Sequence, residues 1–318
     1  MPIFKCDSKS DNPQVFPLDD IVCGLREARH KWRVSQNRQH EIGGRHLPSP
    51  SAISDALDSL ISALFPMRLG PNDLLQETED YYVGYTIGVA LNVLLAQVRL
   101  EVRYQYRNDR LSAEALEDRA VDIMKAFSIA LPRIRSQLDT DVNAAYVGDP
   151  AAGSVDEVLL CYPGILAMIY HRVAHEFYKL DAKLVARIIA ELAHSQTGID
   201  IHPGAQIGEG FFIDHGTGVV IGETTIIGER VRVYQAVTLG AKSFPVNEDG
   251  SLHKGLARHP IVEDDVVIYA GATILGRVTI GKGATIGGNV WLTHDVKPGS
   301  FVSQATSRDE RFFQKNGE

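Results

Sequence analysis

Cysteine is scarce in this chain. The 318 residues include three, Cys6, Cys23 and Cys161, an odd number, widely spaced and without a CxxC pair, so neither a disulfide framework nor a zinc site is indicated. Basic charge is not in excess either: 32 Lys+Arg against 40 Asp+Glu leave a net charge of −8, which offers no global positive field to nucleic acid or an anionic membrane. The first residues, MPIFKCDSKSDNPQVF, lack the basic and apolar regions of a signal peptide. Long hydrophobic runs are missing as well. The most apolar stretch, Val89 to Leu100, is too short to span a bilayer, and it contains Asn92, Gln97 and Arg99, so it reads as a buried helix. These absences point to a reduced, cytoplasmic, globular protein with a small-molecule partner and no nucleic-acid or membrane role; 44% hydrophobic residues suffice to bury a core.

What is present divides the chain in two. From about Leu18 to His194, apolar residues recur at helical spacing, as in Leu116, Ala120, Ile123, Phe127, Leu131, Ile134 and Leu138, and turn signals at 46–51, Gly70-Pro71-Asn72, Asn108-Asp109 and Gly148-Asp149-Pro150 separate five or six helices. Two more are expected over 155–178 and 180–196, with Pro163-Gly164 kinking or dividing the first. After Gly198 the period becomes six: Ile201, Ile207 and Ile213, then Ile221, Ile227, Val233 and Leu239, and, after an irregular stretch, Val262, Ile268, Ile274, Ile280, Ile286 and Leu292. A hexad repeat of this kind belongs to parallel β-helices, in which three hexads make one turn, so the thirteen positions predict about four turns. The expected organisation is α + β: an all-α region over 1–196, a left-handed parallel β-helix over 197–300 with a loop at 240–260, and a tail over 301–318. Exposed flat faces and open ends favour side-by-side association, and a trimer is expected.

The first coils concentrate ionisable groups: Asp200, His202, Asp214 and His215. Asp200 and His215 are fifteen residues apart, which in a solenoid of roughly 18 residues per turn can bring them together on successive coils. A carboxylate beside an imidazole raises its basicity and fixes its tautomer, as a general base for a hydroxyl proton requires; a satisfied corner histidine is the equal alternative. His171 and His175, one helical turn apart, lack a third ligand and read as packing groups.

The strings GDPAA, DIHPGAQIG, DHGTGVVIGET, VTLGA and RHP, in that order over Asp149 to Val296, resemble the serine O-acetyltransferases, hexapeptide-repeat acyltransferases that make O-acetylserine for cysteine biosynthesis. The longer helical half resembles the subgroup with an extended N-terminal domain. The resemblance implies His215 as catalytic base with Asp200 as its partner, Asp149 and Asp214 at the ammonium of L-serine, and Arg258 and His259 near its carboxylate. It places the acetyl-CoA arm along Gly240, Ala241, Ala270, Gly271 and Gly288, in a groove between adjacent β-helix units; to these the residues themselves add Lys242, Lys254 and Lys282 as candidates for the CoA phosphates and His253 as a candidate for the entrance. The resemblance implies no metal, a homotrimer or a dimer of trimers, and L-cysteine as feedback inhibitor. Relatives that bind O-acetylserine sulfhydrylase do so through a terminal Ile; this chain ends QKNGE, so a cysteine synthase complex by that route is not expected.

Three other readings are open to the sequence. A hexapeptide acetyltransferase could act on a sugar or an antibiotic, but Asp149, Asp214 and Arg258 together favour a zwitterion. A γ-type carbonic anhydrase needs three zinc-binding histidines, and His202, His215 and His294 are in unsuitable register. A non-enzymatic scaffold leaves the Asp200/His215 pair unexplained.

Overall fold

The computed structural model describes residues 16–37, 47–107, 109, 111–243 and 255–304. The chain divides into two units, Met1–Arg45 and His46–Glu318. The first contains α1 (Leu18–Ser35), which follows Pro17 and opens with Asp19 and Asp20 at the positive end of the helix dipole. None of its residues is buried.

In the second unit the turn signals become helix ends. Ser49 caps α2 (Pro50–Leu64) by accepting from the Ala52 N–H, with Pro50 in the first turn. A short α3 (Pro66–Leu69) follows, then α4 (Glu79–Gln105), and α5 (Ala113–Gly148), which is capped by Ser112 and continues through Pro132. By length and composition alone Gln76–Gln105 could cross a membrane; here Ala90, Leu94, Val98 and Val102 of α4 lie in the protein core. Ser154 caps α6 (Val155–Cys161), and Pro163 separates it from α7 (Pro163–Lys179). The last helix is α8 (Lys183–Thr197), ended by Gly198 in the left-handed region. Ala182, before α8, has no side chain to cap it, and a buried carboxylate from α4 substitutes: Glu101 accepts from the Leu184 and Val185 N–H groups at 2.6 and 2.7 Å.

From Asp200 the chain coils into three parallel faces. The first stacks β1 (Asp200–Ile201), β4 (Val220–Ile221), β7 (Thr238–Gly240), β10 (Thr273–Leu275) and β13 (Trp291–Leu292). The second stacks β2 (Gln206–Ile207), β5 (Ile226–Ile227), β8 (Ile261–Val262) and β11 (Thr279–Ile280), and the third β3 (Phe212–Ile213), β6 (Arg232–Val233), β9 (Val267–Ile268), β12 (Thr285–Ile286) and β14 (Phe301–Val302). The hexad aliphatics are the inward members of these strands, all buried except Ile207, which is partly so. The stack extends one strand beyond the expected limit at residue 300, because β14 pairs with β12.

Helices and coil form one body within this unit. Arg172 of α7 and Asp141 of α5 make a buried two-point ion pair at 2.6 and 2.7 Å. Asp141 also accepts from the Phe211 N–H, and Arg172 donates to the Gly208 carbonyl. The pair therefore joins two helices to the first coil, with its polar capacity used on backbone groups. Gly164 brings α7 so close to β3 that a Cβ there would collide with the Ile213 carbonyl.

The cysteines differ in part from the expectation. Cys161 is free and exposed, but Cys23 is disulfide-bonded.

Candidate active site

The corner between the third and first faces carries His215. Its backbone is left-handed, φ 60°, within a two-residue insertion of the first coil, since Ile213 pairs with Val233 but Ile221 with Leu239; the left-handed position that recurs as Ala236, Gly271 and Asn289 on the later coils is Gly218. Its side chain is 72% exposed, with Nε2 3.9 Å from Oδ1 of the largely buried Asp214. The other Asp214 oxygen accepts from Arg232 on β6 at 2.6 Å.

The end of α5 delivers Asp149 to the same corner. Its Oδ1 accepts from the Ala151 N–H at 2.8 Å, a local turn that the Asp-Pro sequence favours. Its Oδ2 accepts from the Tyr162 hydroxyl at 2.6 Å. The Tyr162 and Ala151 hydrogen bonds hold the Asp149 carboxyl below the usual carboxylate range, and the same bond pushes the Tyr162 hydroxyl up to about 12. Asp200 opens β1 at the same edge of the first face, paired with Val220. Among the described residues, no hydrogen bond or ion pair joins Asp200 to His215 in the single chain; the nearer carboxylate is Asp214.

Arg258 and His259 stand elsewhere. His215 precedes β4 and these two follow β7, and because β4 and β7 run parallel in register, the two groups occupy opposite edges of the first face. At the second corner Arg258 donates to Glu223 at 2.7 Å, and Tyr178 donates to the other Glu223 oxygen at 2.9 Å. Against the upward push of burial, these bonds hold Glu223 below the usual carboxylate range. His259 is almost fully buried, and its Nδ1 accepts from the Thr224 N–H at 3.1 Å, which leaves the proton of the neutral ring on Nε2. Desolvation pushes this imidazole down to about 4. It is therefore a neutral donor at physiological pH. Gly222 makes room for it, since a Cβ there would run into the ring.

The candidate CoA residues divide the same way. Ala270, Gly271 and Gly288 lie on the His215 corner, where the Ala270 carbonyl stands 3.2 Å from where a Gly288 Cβ would be. Gly240 ends β7 on the Arg258 side, followed by Ala241 and Lys242. Lys282 is paired with Asp264 and Asp265 at a third corner, away from both. His253 and Lys254 lie outside the described residues.

Among the described residues no group of three or more His, Cys, Asp or Glu is placed to hold a metal ion. His171 and His175 stack at 5.7 Å within α7, and His175 Nδ1 bonds the Pro203 carbonyl.

Tyr162, Arg232 and the Tyr234–Tyr269 stack, whose rings are 5.1 Å apart at the corner between the third and first faces, are not among the site residues that the sequence indicates. Arg232 carries no spacing signal: it pairs with Phe212 on the coil below and reaches Asp214 diagonally.

Residues 259–294 match the bacterial transferase hexapeptide family, six repeats. The plasmid serine acetyltransferase of Synechococcus elongatus is 51% identical over 97% of this chain and 98% of its own. The chain belongs to the serine acetyltransferase family. Entamoeba histolytica serine acetyltransferase 1, solved in complex with L-cysteine, is 35% identical with a TM-score of 0.67, covering 91% of this chain and 100% of that one. Soybean serine acetyltransferase complexed with serine is 31% identical, TM-score 0.51, over 80% and 96% of the two chains. The serine acetyltransferase fold of a helical region followed by a hexapeptide β-helix is thus the one built here.

Proposed function

We propose that this chain transfers the acetyl group of acetyl-CoA to the hydroxyl of L-serine, at a site completed by a second copy of itself. The observation that carries this reading is the division of the site. His215, Asp214, Asp149, Ala270, Gly271 and Gly288 occupy one edge of the first face, while Arg258, His259, Gly240, Ala241 and Lys242 occupy the other. A cyclic trimer with this face innermost sets one edge of each protomer against the opposite edge of the next. Exposed Val220 and Trp291 on that face are apolar surface for such contacts.

In the assembled groove, Asp149 and Asp214 receive the ammonium of serine. Arg258 and the Nε2–H of His259, from the neighbouring protomer, face its carboxylate. His215 takes the hydroxyl proton as the oxygen attacks the thioester carbonyl; the exposed ring has room to turn toward Asp200, its proposed partner on β1. The slender thioester arm runs along the small residues Ala270, Gly271 and Gly288, where a larger side chain would block backbone approach. Thiolate leaves as CoA, and the imidazolium returns the proton. No metal enters this scheme. L-cysteine has the same ammonium and carboxylate as serine, and its complex with the Entamoeba histolytica relative supports competition at this site. The trimer, or a dimer of trimers, is the proposed assembly, and the cytoplasm its proposed location.

The test is CoA release from acetyl-CoA with and without L-serine. Serine-dependent release that is lost in His215→Ala supports the reading, and release at equal rates with sugar hydroxyls in place of serine contradicts it.

A further inference from the structure

Arg232 is fixed more firmly than an ordinary outward-facing residue of a β-helix strand. Its guanidinium lies 4.9 Å from the centre of the Phe212 ring and 4.7 Å from that of Tyr234. One nitrogen donates to the Gly148 carbonyl at 2.7 Å, next to Asp149, and another to Asp214 Oδ2 at 2.6 Å. The groups gathered at the His215 corner are Asp214 beside it, Asp149 from the end of α5, Tyr162 from the α6–α7 junction, Asp200 on β1, Tyr234 next to Arg232, and Tyr269 after β9. Arg232 is the one cation at this corner among the described residues.

We infer that Arg232 is a positioning residue that keeps His215 unprotonated, by taking up one oxygen of Asp214 and offsetting the carboxylates around the imidazole. The inference rests on His215 acting as the base. Opposite charges favour the protonated imidazole, and a base must be neutral to accept a proton. Three carboxylates with no cation would hold the ring charged to higher pH. Arg232 also selects which Asp214 oxygen is engaged: Oδ2 is occupied, and Oδ1 is left toward His215 and the incoming ammonium. Because two rings and a backbone carbonyl hold the guanidinium, it does not follow the substrate, and its field is the same with the site empty or filled.

The experiment is the pH profile of kcat/KM for serine in the full-length enzyme, Arg232→Gln and Arg232→Lys, with thermal melts to establish that each variant folds. In Arg232→Gln the acidic limb moves up by about one pH unit, and Arg232→Lys returns most of that shift because it restores the charge. A uniform fall in kcat/KM with the limb unmoved in Arg232→Gln would make Arg232 merely structural and overturn the inference. His215→Ala separates the two readings. Inactivity of that variant together with an unmoved limb in Arg232→Gln overturns this inference alone, whereas an active His215→Ala with an unchanged limb overturns the base assignment and this inference with it.

Discussion

The Tyr162 hydroxyl donates to Asp149 Oδ2 at 2.6 Å, across a junction between two helices. Ser154 and Glu157 set that junction: the Ser154 hydroxyl accepts from the Glu157 N–H, and the Glu157 carboxylate accepts from the Gly153 N–H. Asp149 is thus aimed by a side chain that itself touches no substrate in the proposed scheme. The site is open to solvent, so water replaces part of this bond when the hydroxyl is removed. Tyr162→Phe is expected to raise KM for serine by about tenfold with kcat little changed, measured by steady-state kinetics at saturating acetyl-CoA.

Gly222 exists for His259. A methyl group at position 222 would occupy the space of the imidazole, so Gly222→Ala must expel the ring from its Thr224 contacts. Overpacking of this kind costs about 1–3 kcal/mol. The variant is expected to melt lower and to bind serine more weakly, with acetyl-CoA binding less affected; calorimetric titration of each ligand checks the difference.

Much of this was legible in the sequence. The period of six placed every inward aliphatic from Ile201 to Leu292, because a β-helix turns at fixed residue intervals and only aliphatic side chains fill its axis. The turn signals at 46–51 and Pro163-Gly164 coincide with the helix starts at Ser49 and Pro163, through capping and proline chemistry. Each described site residue named from the family resemblance lies at a β-helix corner, on a strand end or at the end of α5. The division of those residues between two edges was not legible, since it depends on which face each strand joins across the 240–260 interruption. Nor was Arg232, whose role arises from stacking one coil above Asp214, or Tyr162, whose partner Asp149 lies on another helix. The Asp200/His215 spacing left the contact itself undecided, and in the single chain Asp214 is the carboxylate beside the ring.

Burial depresses four histidines. Desolvation pushes His202 and His259 down to about 4 and lowers His171 and His175 as well. The unfolded chain takes up these protons near pH 6.5 and the folded chain does not, so stability is complete above that pH and is lost progressively as pH falls from about 6.5 toward 4. Thermal melts from pH 7.5 to 4.5 are expected to show a falling midpoint over this interval, with a shallower fall in His202→Gln.

The division of the site between copies is tested most directly with mixed trimers. His215→Ala removes one edge and Arg258→Ala the other, and each homotrimer is expected to have little activity. When the two are co-expressed with different tags and purified through both, every mixed trimer contains one interface with both edges intact, and the account expects about a third of wild-type turnover. Turnover no higher than that of the two parents would contradict it.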